Sequence, residues 1–172
     1  CVDADRYASW SAERYGYPSV NHQLVEMNML DDCGSIGSAM LEAEREIGHE
    51  ETARLADRIA TYMMTGQERK EDGAFYRKQT GYFMENTLWA DDLYMSVPFL
   101  LRYARRCGRK DCLDESVRQM RLYRDYLYMP NSGLLSHVYD FKYETPTGVP
   151  WGRGNGWALF SLAELLTELP TD

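Results

Sequence analysis

The chain is short of basic residues, short of histidine, and has no long apolar run. Lys and Arg together number 19 against 27 Asp and Glu, for a net charge of −8. That balance argues against a nucleic-acid backbone as partner, because phosphate binding needs clustered Lys and Arg. It leaves room for a small anionic ligand, which a single arginine can hold. No run of 18 apolar residues occurs, so no membrane-spanning helix is expected. The four cysteines, Cys1, Cys33, Cys107 and Cys112, contain no C-x-x-C pair, and none of the 3 histidines stands at a zinc-ligand interval from them. Cys107 and Cys112 flank an expected helix–helix turn, near enough to approach each other, and are read first as free thiols.

Aromatic residues are plentiful, at 13% of 172 residues, and Tyr alone accounts for 13 of them. Tyr and Trp suit surfaces that stack on sugars or peptides, although rings of this kind also pack in cores. A chain of this length is large enough for one domain with its own core. Residues 1–30 are irregular, with a short helical piece near 3–15 and a loop through Pro18. From Leu30 onward the apolar spacing is helical. Ile36, Met40, Ala43 and Ile47 share a face, ended by Gly48; Ala53, Ala56, Ala60 and Met63 repeat the pattern up to Gly66. Leu93, Val97, Leu100, Leu101 and Ala104 define a third helix that Pro98 should kink or bend. Leu113, Val117, Met120, Tyr123 and Leu127 define a fourth. Leu159, Leu162, Ala163 and Leu166 define the last, after a Gly/Pro-rich loop over 140–156. Ala74–Arg77 and the stretch around Leu134-Leu135 read as short extended pieces.

These helices repeat. Asp31 and Asp91 are 60 positions apart, and so are Gly73 and Gly133, and Leu41 and Leu101. Each unit runs from an acidic pair through an inward helix, a turn and an outer helix to a glycine turn. The next step of the repeat falls at Trp151. Stacked antiparallel helix pairs form a solenoid or close into a ring, and in both the residues opening the inner helices gather at one mouth. Asp31, Asp91 and the Trp151–Trp157 segment are therefore expected together.

The chemistry follows from those residues. Asp91 lies between Trp89 and Tyr94-Met95, where rings strip water from a carboxylate, and Asp31 is the second acid. Two carboxylates in different environments are the usual equipment for acid–base work on sugars. An Asp ahead of an apolar helix is also an ordinary N-cap, and Asp32 and Asp92 are read as caps or solvated partners. His137 reads equally as a structural histidine or as a substrate contact; His22 and His49 carry no signal. In Trp151-Gly152-Arg153-Gly154-Asn155-Gly156-Trp157 the glycines allow close backbone approach, Trp151 and Trp157 offer stacking faces, and Arg153 offers a fork that matches a carboxylate. The alternative is a glycine-rich loop with packed Trp. No apolar strand precedes it and no Lys-Ser/Thr pair follows, so it is not a phosphate loop.

Trp89-Ala90-Asp91-Asp92-Leu93-Tyr94-Met95-Ser96-Val97-Pro98-Phe99-Leu100, the Trp151–Trp157 segment and Leu30-Asp31-Asp32-Cys33-Gly34 resemble stretches of the unsaturated rhamnogalacturonyl hydrolases, glycoside hydrolase family 105, relatives of the family 88 unsaturated glucuronyl hydrolases. The similarity runs over about residues 28–169. The resemblance implies an all-α (α/α)6 toroid and an oligosaccharide substrate with a 4,5-unsaturated uronic acid at its non-reducing end, of the kind pectin and rhamnogalacturonan lyases release. It implies hydration of the double bond, with Asp91 protonating C4, Asp31 placing water or sugar hydroxyls, His137, Arg153 and Trp157 lining the uronate subsite, and no metal or organic cofactor; Trp89, Tyr94, Met95 and Trp151 are further expected substrate contacts. Direct attack at the anomeric carbon by Asp31 and Asp91 is the alternative enzyme, and a glycan- or partner-binding helical module the alternative without catalysis. A toroid of six such hairpins takes about 360 residues. Residues 1–172 therefore read as a partial barrel of about three hairpins, stopping inside one, with exposed inner-helix surface that favours self-association.

Overall fold

A computed structural model describes residues 27–47, 50–78, 81 and 84–170. The helical piece expected near 3–15, the loop through Pro18, Gly48, and Cys1, His22 and His49 lie outside the described residues. Five α-helices dominate: α1 (Gly34–Ile47), α2 (Glu50–Thr61), α3 (Asp91–Cys107), α4 (Lys110–Leu127) and α5 (Gly152–Glu168). A 3₁₀ turn at Leu30–Asp32 leads into α1, and α2 continues as a π-helical turn over Tyr62–Gly66. The short strands are β1 (Thr87–Trp89), β2 (Tyr128–Met129), β3 (Leu134–Leu135), β4 (Val138–Asp140) and β5 (Thr145–Pro146). They form an antiparallel sheet of order β1-β4-β5 and a separate β2-β3 pair.

The 60-residue offset recurs in three dimensions. Helices α1, α3 and α5 are the inner helices and lie side by side with α3 in the middle; α2 packs on α1 and α4 on α3. Gly73 and Gly133 hold equivalent turns with φ of +96° and +70°, a region that favours glycine. Leu41 and Leu101 are both buried. As the central element, α3 is covered on most sides: Leu93, Val97, Phe99, Leu100 and Leu101 are all buried, and the helix is continuous through Pro98.

Two inner helices do not bury the faces that apolar spacing predicts. In α1, Ile36 is 41% exposed, whereas Gly34, Gly37, Ser38 and Leu41 point inward. In α5, Leu159, Leu162 and Leu166 are exposed and Ala158, Ser161 and Leu165 are buried. Small residues let neighbouring inner helices approach closely, so the closest contacts exclude the bulkiest side chains. The displaced leucines of α5 line a groove of about 440 Å³ against Val117 and Met120 of α4. The buried stripe of α4 is itself partly polar. Gln119 Nε2 donates to Gly73 O (2.8 Å) and its Oε1 accepts from Phe75 N (3.0 Å), while Glu115 pairs with Arg69 (2.6 Å). The outer helix of one hairpin thus clamps the turn of the hairpin before it. Cys33, Cys107 and Cys112 are free thiols.

Candidate active site

The start of α3 is fixed by strands rather than by a side-chain cap. Trp89 of β1 faces Val138 of β4 in register, and Ala90 N donates to His137 O (2.9 Å). Ala90 is the N-cap residue and receives no side-chain bond. Asp91 and Asp92 are therefore the first two helical residues, not caps, which corrects the capping alternative for this pair. Asp32 does cap its turn, its Oδ2 accepting from Asn28 N (2.9 Å) and Met29 N (3.0 Å).

Consecutive helical residues point about 100° apart, and the two carboxylates part accordingly. Asp91 turns toward α5. Its Oδ2 lies 2.9 Å from His137 Nε2, a hydrogen bond in which the ring N–H donates to a carboxylate or a carboxylic O–H donates to the ring. A Cβ at Gly154 would stand 3.3 Å from the Trp151 ring, 3.5 Å from Ala90 Cβ and 3.8 Å from Asp91 Oδ2, so the first turn of α5 packs directly on this corner. The Asp91 side chain keeps 14% of its surface exposed.

Aromatic rings build the walls. His137 is held edge-on to Trp89 (centroids 4.8 Å apart) and tilted against Trp151 (4.6 Å). Trp157 stands perpendicular to Trp151 at 5.9 Å and stacks on Tyr94 at 5.5 Å, and Tyr94 also meets Phe160. The Arg153 guanidinium lies 4.0 Å from the Trp151 ring centroid and 5.2 Å from that of Trp157. Among the described residues no carboxylate pairs with Arg153, so its charge is available to a ligand. The glycine-rich segment begins the helix directly, since α5 starts at Gly152 rather than after the loop. Asn155 ties that first turn to β3, its Oδ1 accepting from Leu135 N (2.8 Å) and its Nδ2 donating to Leu135 O (2.9 Å).

Asp92 turns the other way and is not the solvated partner expected. It is 2% exposed and receives a two-pronged bond from Arg77, Nε to Oδ2 at 3.1 Å and Nη2 to Oδ1 at 2.6 Å. The remaining Nη1 of Arg77 reaches Asp31 Oδ2 at 3.0 Å, and the guanidinium sits 5.2 Å from the Trp89 ring centroid. Asp31 thus joins the group through Arg77 and Asp92. Burial pushes the Asp92 carboxyl up to about 6, and the Arg77 charge pulls against that rise. Burial alone would lower the Arg77 guanidinium; the Asp92 contact outweighs it and holds the group above its ordinary value. Met95 is partly buried against the core, and its backbone faces Gly34 of α1.

Arg77 carries no signal in the sequence. It sits after a turn, in an isolated bridge to Thr87, with no helical or alternating period around it. The two-acid repeat was the available clue, because a buried second carboxylate requires a cation. Removing that cation has a pH-dependent cost. A raised folded value means that folded Asp92 keeps a proton the unfolded chain releases, so this group's stabilisation is lost as pH rises through about 6. Arg77 offsets that loss. Arg77→Met is expected to cost about 3–5 kcal/mol at pH 8, and clearly less at pH 5. Urea unfolding at the two values checks it, and an equal deficit at both counts against the ion pair.

Repeated inner and outer helices, with the candidate site at the openings of the inner ones, form an arc of an α/α-toroid fold. The chain belongs to Glycosyl Hydrolase Family 88, whose sequence pattern matches residues 4–172. It is 30% identical over 135 residues to the unsaturated rhamnogalacturonyl hydrolase YesR of Bacillus subtilis (strain 168), covering 77% of this chain and 39% of that protein. The structure of a family 105 glycoside hydrolase from C. acetobutylicum ATCC 824 superposes with a TM-score of 0.71 at 25% identity, covering 86% of this chain and 41% of the other. A possible family 105 member from Klebsiella pneumoniae shares the fold at TM-score 0.72 and 17% identity, covering 98% and 48%. The chain thus spans 39% to 48% of the length of these relatives.

Proposed function

We propose that the protein hydrolyses oligosaccharides ending in a 4,5-unsaturated uronic acid, by hydrating the double bond rather than by attacking the anomeric carbon. The observation that carries this reading is the combination at the start of α3 and α5. One acid, Asp91, is bonded to His137 inside a box of Trp rings, and Arg153, paired with no carboxylate among the described residues, lies on the wall of the same box. A protonated Asp91 delivers its proton to C4 of the vinyl ether, and the positive charge is shared by C5 and the ring oxygen. Water adds at C5 and loses a proton to the Asp91 carboxylate, restoring it. The hemiketal then opens and the rest of the sugar chain leaves, so one water is consumed for each bond released. Arg153 matches the uronate carboxylate, Trp151, Trp157 and Tyr94 offer faces for the ring, and Asp31 places water or a hydroxyl. The relation to a named unsaturated rhamnogalacturonyl hydrolase supports the substrate class.

The test follows the ultraviolet absorbance of the C=C bond conjugated to the carboxylate. Incubation with unsaturated uronyl disaccharides should remove that absorbance in step with the appearance of a new reducing end. Cleavage of the saturated disaccharide, with the unsaturated one left intact, would show that the chemistry is at the anomeric carbon instead.

A further inference from the structure

Among the described residues, the Asp31 carboxylate is held by one group alone, the Nη1 of Arg77 at 3.0 Å. Asp31 sits on a short 3₁₀ turn with its side chain 38% exposed, and nothing in that turn fixes the carboxylate's direction. Arg77, by contrast, is fixed on every side. It is 8% exposed, two of its nitrogens are taken by buried Asp92 of α3, Trp89 of β1 lies beside the guanidinium, and Met84 Sδ stands 3.6 Å from Nη1. Tyr123 of α4 also acts on it, and its hydroxyl donates to Phe75 O at 3.1 Å.

A rigid fork that grips a buried carboxylate with two nitrogens and a partly exposed one with the third can aim the exposed one. We propose that Arg77 is a positioning residue for the reaction: anchored by Asp92, it fixes Asp31 in the orientation from which Asp31 places water or a sugar hydroxyl. The role rests on the function proposed above. It also explains why two adjacent acids open α3. Asp91 faces the reacting sugar, and Asp92 sends the position of the same helix, through Arg77, to the turn before α1. The start of α3 thereby sets both acids of the site.

Only an arginine can do this. A lysine ammonium at position 77 neutralises Asp92 but is a single point, without the planar spread that reaches Asp92 and Asp31 together. Arg77→Lys separates the structural role from the positioning one. Absorbance-loss kinetics on an unsaturated uronyl disaccharide, run on the parent protein, Arg77→Lys, Asp31→Asn and the double variant, give the answer. Arg77→Lys should melt within a few degrees of the parent yet lose about 10–100-fold in kcat, with KM changed far less. The double variant should be no slower than Asp31→Asn alone, because both changes remove the same arrangement. Parental kcat in Arg77→Lys, or losses that multiply in the double variant, overturns the positioning role and leaves the proposed function standing. No absorbance loss from the parent overturns the function and this role with it. If Arg77→Lys fails to fold, Arg77→Gln combined with Asp92→Asn removes both buried charges at once, and the same comparison with Asp31→Asn applies.

Discussion

Asp91→Asn is expected to lower kcat/KM for an unsaturated uronyl disaccharide by about 10²–10⁴-fold, the range that a positioned general acid contributes. The amide has nearly the shape of the carboxyl group but no proton acidic enough to give to a vinyl ether. Its surroundings accept the change. Asn can still hydrogen-bond His137 Nε2, and the small residues beside it, Ala90 and Gly154, need not move. Because Ala90 is the N-cap residue, no capping bond is lost. The structural cost is confined to a negative charge in the first helical turn, about 0.3–1 kcal/mol. A thermal melt close to the parent's, together with absorbance that no longer falls, is the expected pair of results. Turnover at the parental rate would remove Asp91 from the mechanism.

Gly34→Ala is expected to destabilise the fold by about 3 kcal/mol or more. On helix propensity alone the change should help, since alanine is favoured over glycine within a helix by about 1 kcal/mol. The packing reverses the sign. A Cβ at Gly34 would stand 1.7 Å from the backbone oxygen of Met95, and a backbone atom inside α3 has no rotamer to yield. Helices α1 and α3 must separate. Gly37→Ala, one turn on, is the control: its Cβ would meet the Phe99 ring at 2.8 Å and Ile59 Cδ1 at 3.0 Å, side-chain atoms that can shift. Urea unfolding should rank Gly34→Ala as clearly the more damaging. Equal midpoints for both variants would mean that the α1–α3 contact is looser than described. Since the turn that carries Asp31 leads into α1, Gly34→Ala should also weaken activity more than its melting temperature suggests.

Much of the hairpin order was legible because the repeat places Asp31, Gly73 and Leu41 in register with Asp91, Gly133 and Leu101. The inner faces of α1 and α5 were not legible. Hydrophobic periodicity ranks side chains by apolarity, which selects Ile36, Leu159, Leu162 and Leu166. Close helix contact instead selects small size, which selects Gly34, Gly37, Ala158 and Ser161. In the candidate site, the residues that stand out in sequence also cluster in space: Asp91 with His137, and Trp89, Tyr94, Trp151, Arg153 and Trp157 around them. Their chemical roles rest on the experiments above. Met95 stands out equally in sequence and is partly buried against the core, its backbone facing Gly34 across the α1–α3 interface. Arg77 was invisible, and with it the reason that Asp92 is buried. Pairing between residues from unrelated segments leaves no period to read.

The strand contact before α3 has a consequence beyond holding the helix in place. Pairing of Trp89 with Val138 and the bond from Ala90 N to His137 O act as a keyway that sets the rotation of α3 about its own axis. With each residue worth about 100° of turn, removing one residue at this junction would put Asp92 where Asp91 meets His137, and adding one would put Asp91 where Asp92 meets Arg77, so either change breaks both pairings. Side chains at the junction can change one at a time, but its length cannot. The tolerance of this site to insertion is therefore set by a gear tooth of sheet three residues long, Thr87–Trp89.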